Sequence, residues 1–103
     1  MAINVLVVTE DLNTIVVEID GIEDNDDFHY LKRVAREMRL PIIATIGAWS
    51  NTIINKPQQL ILAQEIEKIR TRQDIKQSIV GTLKEILDLA QKNSRYYIKF
   101  IGE

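Results

Sequence analysis

Apolar and polar positions along the chain follow two periods, and the changes between them mark the elements. Ile3 to Val8 and Thr14 to Ile19 are β-branched runs separated by Glu10-Asp11-Leu12-Asn13, whose short polar side chains bond their own backbone in turns. The pattern predicts an antiparallel hairpin. Both runs are almost continuously apolar at their centres. Either the sheet is partly covered on both faces, or one face is kept for a partner.

The period then lengthens. Phe28, Leu31, Val34, Ala35 and Met38 recur at helical spacing, with Asn25 or Asp24 placed to cap the helix and Pro41 to end it. Carboxylates crowd its start and arginines its end, the order the helix dipole favours, with a dedicated binding role as the competing reading. Pro41 to Ile46 reads as a third strand, followed by a turn over Gly47 to Asn51 and a brief extended piece, Thr52-Ile53-Ile54. At the next junction Asn55 is a cap, Pro57 suits a first helical turn, and Gln58 completes a loose capping box. Leu62, Ile66 and Ile69 form the buried stripe of that helix, flanked by Ile61 and Ala63. Leu60 falls on the opposite side among Gln64, Glu67 and Thr71.

Ile75, Ile79, Leu83, Ile86 and Ala90 predict one helix from about Ile75 to Lys92, weakened at Gly81. A later start at Thr82, boxed with Glu85, is the alternative. Asn93 suits the left-handed turn after the helix. Tyr96, Ile98 and Phe100 alternate with Arg95, Tyr97 and Lys99, which places a last strand inside the sheet. The predicted class is α+β. A largely antiparallel sheet of about four strands packs against about three helices, in the order β-β-α-β-(β)-α-α-β.

A length of 103 residues, 46% of them hydrophobic, suits a single domain spanning residues 1–103. With no cysteine there are no disulfides and no thiolate chemistry, which accords with a reducing cytoplasm. The opening MAINVLVV lacks the basic region of a secretory leader, and no apolar run approaches the ~20 residues that span a bilayer. A net charge of −2 argues against a nucleic-acid binder. It conceals a local dipole, since Asp20, Glu23, Asp24, Asp26 and Asp27 precede Lys32, Arg33, Arg36 and Arg39 directly.

Candidate chemistry is sparse. His29 is the sole histidine, beside Phe28 and Tyr30, and the serines sit in no nucleophile-elbow motif. The run DGIEDNDDF lacks the alternating ligands of a calcium loop, so no metal is expected, and scattered glycines cradle no phosphate. No cofactor is expected either. Lys32, Arg36 and Arg39 share a stripe without an aromatic platform for nucleic acid. Trp49 has two open readings, a residue folded onto the core edge or an interface hot spot.

Two segments, GAWSNTIINKPQQLILAQEIEKI and LKEILDLAQKNSRYYIKFIGE, together resemble a pattern in small bacterial proteins similar to the immunity proteins of toxin systems. The match covers roughly the C-terminal half. Trp49-Ser50-Asn51 replaces a turn with aspartate and glycine, and Glu103 replaces a closing aspartate. The resemblance implies a small, non-enzymatic cytoplasmic protein that neutralises a partner by covering it. The expected binding residues are Asp20, Glu23, Asp24, Asp26, Asp27, Trp49 and Leu60, facing a toxin with a basic surface. The alternative is a homo-oligomeric scaffold or regulator acting through an exposed sheet edge or helix face.

Overall fold

Residues 2–47 and 50–102 are described by a computed structural model. Strand β1 (Ala2–Thr9) and strand β2 (Ile15–Glu23) form the expected antiparallel hairpin. Its turn is tied by Asp11, whose carboxylate accepts from the Thr9 hydroxyl and from the backbone N–H of Asn13 at 2.9 Å. Leu12 completes the turn with φ 67°, a left-handed conformation that a branched-chain residue adopts at a cost. Near its other end β2 bulges: Ile3 pairs Ile22 but Val5 pairs Ile19. Gly21 sits in that bulge, and a Cβ there would lie 2.6 Å from the Ile3 carbonyl oxygen. Only glycine fits so close an approach.

Helix α1 (Asp26–Glu37) starts on Asn25, whose side-chain oxygen accepts from the Phe28 N–H at 3.1 Å. It ends in a left-handed turn. Arg39 adopts φ 59°, and the N–H of Leu40 returns to the Ala35 carbonyl at 2.7 Å while that of Arg39 reaches the Arg36 carbonyl at 3.2 Å. These two bonds form a Schellman closure with arginine where glycine is usual.

Pro41 to Ile46 corrects one expectation. The segment is not a strand but a short helix, α2 (Pro41–Thr45), and the sheet's third strand is instead β3 (Asn51–Ile54). The cause lies 22 and 23 residues away. Glu65 of helix α3 (Lys56–Ile69), only 3% exposed, accepts the N–H of Ile42 at 3.0 Å and of Ile43 at 2.8 Å. Pro41 has no N–H to offer, so one buried carboxylate satisfies the first donors of α2. Charge-assisted bonds of this kind outweigh the modest strand preference of a β-branched run.

The α3 junction carries both halves of a capping box. Asn55 accepts from the Gln58 N–H at 3.0 Å, and the Gln58 side chain accepts from the Asn55 N–H at 2.9 Å. Beside it the buried Gln59 donates to the Tyr96 carbonyl at 2.9 Å, and Lys56 donates to the Ala90 carbonyl at 2.7 Å. The corner therefore locks α3 to helix α4 (Gln77–Ala90) and to strand β4 (Tyr96–Ile101). Burial draws the Lys56 ammonium below the usual lysine range. Helix α4 runs unbroken through Gly81, and Thr82 opens no helix, because its hydroxyl donates to the Ser78 carbonyl at 3.1 Å.

The four strands lie in the order β2-β1-β4-β3, every neighbouring pair antiparallel, so the last strand is interior as expected. Phe28, Leu31, Ile43, Leu62, Leu83 and Ile86 from the helices pack on Ile3, Val5, Val7, Ile98 and Phe100 from one sheet face. The α+β class stands, as one sheet layer under one helix layer.

Candidate functional site

The β2–α1 connection concentrates charge because an edge strand ends there just past a bulge and a helix begins after two intervening residues. The helix cap is neutral Asn25, whose amide also donates to Glu23 at 3.3 Å. None of the five carboxylates is therefore spent on capping, although Asp26 and Asp27 occupy the first turn, where the dipole favours them.

Internal partners account for some of this charge. Asp24, with only 14% of its side chain exposed, lies 2.6 Å from the His29 ring nitrogen Nε2. Asp27 pairs with Lys76 at 3.3 Å. Among the described residues Asp20 and Asp26 have no ion-pair or hydrogen-bond partner for their side chains, and both are exposed. Of the five residues that the sequence groups, Asp24 and Asp27 are ion-paired and Glu23 accepts from Asn25, engagements that the sequence does not show. His29 was legible as a lone histidine; its tie to Asp24 depends on the turn geometry of the cap.

Between the end of β2 and the start of α4 lies an open cleft of about 370 Å³. Asp20, Glu23 and Asn25 line one wall and Lys76, Ser78 and Thr82 the other, with Ile22 and Ile79 at its base. Lys76 is a neighbour of this cluster that the sequence did not single out, since it reaches this place only through the packing of α4 against β2. It stands at the uncapped start of α4 and answers Asp27.

A second cluster fixes the connection that carries Lys76. Arg72 donates to Asp74 twice, from Nε at 2.9 Å and from Nη2 at 2.6 Å, and the Tyr30 hydroxyl donates to Asp74 at 2.5 Å. The Arg72 bonds first, then that of Tyr30, hold the Asp74 carboxyl well below the usual carboxylate range. The Asp74 carboxylate in turn pushes the Tyr30 hydroxyl up, and raises Arg72 as well. Nothing in the local pattern pairs Tyr30 with Asp74, which are 44 positions apart.

Leu60 is 64% exposed, as its position on the helix predicts, with Ile61 beside it at 42%. It lines a separate apolar groove with Pro57, Gln91 and Ser94, so it does not join the acidic cluster's cleft. Trp49 lies outside the described residues. Among those residues, no three histidine, aspartate or glutamate side chains gather as a metal site, and no helix is long and apolar enough to cross a membrane. Compared with known proteins, the chain matches no family model, no curated protein and no solved structure.

Proposed function

We propose that the chain is a non-enzymatic, cytoplasmic protein-binding domain of the immunity kind, which neutralises a bacterial toxin by covering a basic surface on it. The observation that carries this reading is the surplus of carboxylate at the β2–α1 connection. Asn25 makes the cap, Asp24 and Asp27 are engaged, and Asp20, Glu23 and Asp26 still present exposed negative charge. Charge of that kind steers a basic partner and spaces its guanidinium and ammonium groups as phosphates would. The adjoining cleft receives a side chain of the partner, and Leu60 with Ile61 offers an apolar second contact. The capping box and the Lys56 and Gln59 bonds hold α3, and Leu60 with it, in a fixed position. A preorganised surface loses less entropy on binding.

Native co-purification from the source cells, followed by mass spectrometry, tests the reading. The parallel bait is the triple variant Asp20→Asn, Glu23→Gln, Asp26→Asn. One basic protein is expected with the wild-type bait, depleted several-fold with the variant. Equal recovery with both baits, or no basic protein with either, overturns the proposal.

A further inference from the structure

The sheet has a second face that the helices never cover. Register places Leu6 between Glu18 of β2 and Lys99 of β4 in one row across this face, and Val8 between Ile15 and Tyr97 in the next. None of these six residues belongs to the cluster packed beneath the helices. On this face Leu6 and Val8 are 3% and 1% exposed, while Ile15 is 60% exposed. Among the described residues neither Glu18 nor Lys99 has an ion-pair or hydrogen-bond partner. The face therefore presents Ile15 and Tyr97 to either side of a buried apolar centre, and carries two unanswered charges of opposite sign, one strand to either side of β1.

We propose that this face docks a second copy of the chain about a two-fold axis running along β1. Rotation about such an axis keeps each row at its height and exchanges the strands on either side of β1. Glu18 of one copy then lies over Lys99 of the other, and the second Lys99 over the second Glu18. By the same operation Ile15 meets Tyr97 twice, on either side of the buried Leu6 and Val8. A two-fold across the strands does the opposite. It sets Glu18 against Glu18 and Lys99 against Lys99, or sets each charge against an apolar row. Only the axis along β1 answers both charges, and it brings the two sheets together with their strands aligned, as twisted sheets pack face to face.

Size sets the strength. Four strands about 4.8 Å apart and some six residues long cover roughly 400 Å² in projection. That is below the ~800 Å² per partner of a standard stable interface, so the dimer is weak, with a Kd in the micromolar range. Asp20 and Glu23 line a cleft shared with α4, on the helix side of the sheet, so the dimer leaves them free. Substitutions at Glu18 and Lys99 therefore leave the acidic surface intact, and those at Asp20, Glu23 and Asp26 leave the sheet face intact.

Sedimentation of the purified chain from about 5 to 500 µM tests the dimer. A monomer–dimer equilibrium is expected, with Glu18→Lys and Lys99→Glu each weakening it at least about tenfold, because each places two like-charge pairs across the axis. The double variant Glu18→Lys with Lys99→Glu reverses both members and returns the affinity to within about threefold of wild type. Circular dichroism of each variant monitors the monomer fold. A chain that stays monomeric at the highest concentration overturns the proposal. So does a dimer indifferent to the single variants, or a double variant as weak as the singles.

Discussion

At the scale of single residues, four positions carry more than their side chains suggest. Glu65 is the buried cap of α2. Glu65→Ala strands two buried N–H groups and is expected to cost about 2–5 kcal/mol, read as a lowered midpoint in urea melts. The capping residue Asn55 is expected to cost about 0.5–2 kcal/mol when changed to alanine, against almost nothing for the exposed Gln64→Ala. An equal shift for the two would remove the capping box from the account. Opposite signs are expected at two glycines. Gly81 faces open space inside α4, so Gly81→Ala should stabilise by about 1 kcal/mol, whereas the methyl group of Gly21→Ala collides with the Ile3 backbone and should destabilise. The Asn55 cap was legible in the sequence, because an N-cap and its box are local. The role of Glu65 was not, since a glutamate on an amphipathic helix gives no sign that it points inward to another helix's start.

Elements tell the same story at longer range. The hairpin, α1, α3, α4 and the last strand follow from periodicity and end signals, and Phe100 and Ile98 are buried on the face that their alternation assigned. Phe100→Ala should cost about 3–5 kcal/mol, while Lys99→Ala, on the opposite face, should cost little. The one misread element, Pro41 to Ile46, is short and rich in β-branched residues, and its conformation was decided by a tertiary bond rather than by propensity. At the end of α1, Arg39→Gly relieves a left-handed backbone and should raise stability by about 0.5–1 kcal/mol in the same melts. The tie between α1 and the α3–α4 connection titrates at both ends. Asp74, held below its ordinary range, stabilises the fold above about pH 4, and that contribution is lost as pH falls through its native value. Tyr30, pushed up, contributes below about pH 10, and its share is lost as pH rises through its native value. Melts of Asp74→Asn should therefore show a shallower loss of stability toward acid than wild type, and those of Tyr30→Phe a shallower loss toward base.

For the whole molecule, one helix layer on one face of an antiparallel sheet leaves three surfaces: the acidic rim with its cleft, the groove beside Leu60, and the open sheet face. The sequence announced the first as a charge run, whereas the apolar centres of its first two strands left open whether the last was partly covered or kept for a partner. It did not reveal that Lys76 and His29 engage part of the acid, because those pairs arise only when α4 meets β2 and the cap turn closes. What remains uncompensated is the centre of the functional reading. Exposed charge acts on encounter, and salt screens it over a Debye length of about 8 Å at physiological strength. The decisive measurement is the association rate with the co-purified partner, taken at low and at physiological salt for wild type and for the variant Asp20→Asn, Glu23→Gln, Asp26→Asn. The wild-type rate should fall steeply with salt, and the variant should start several-fold slower and change little. Equal rates at low salt would contradict the account and leave the acidic segment as nothing more than the start of a helix.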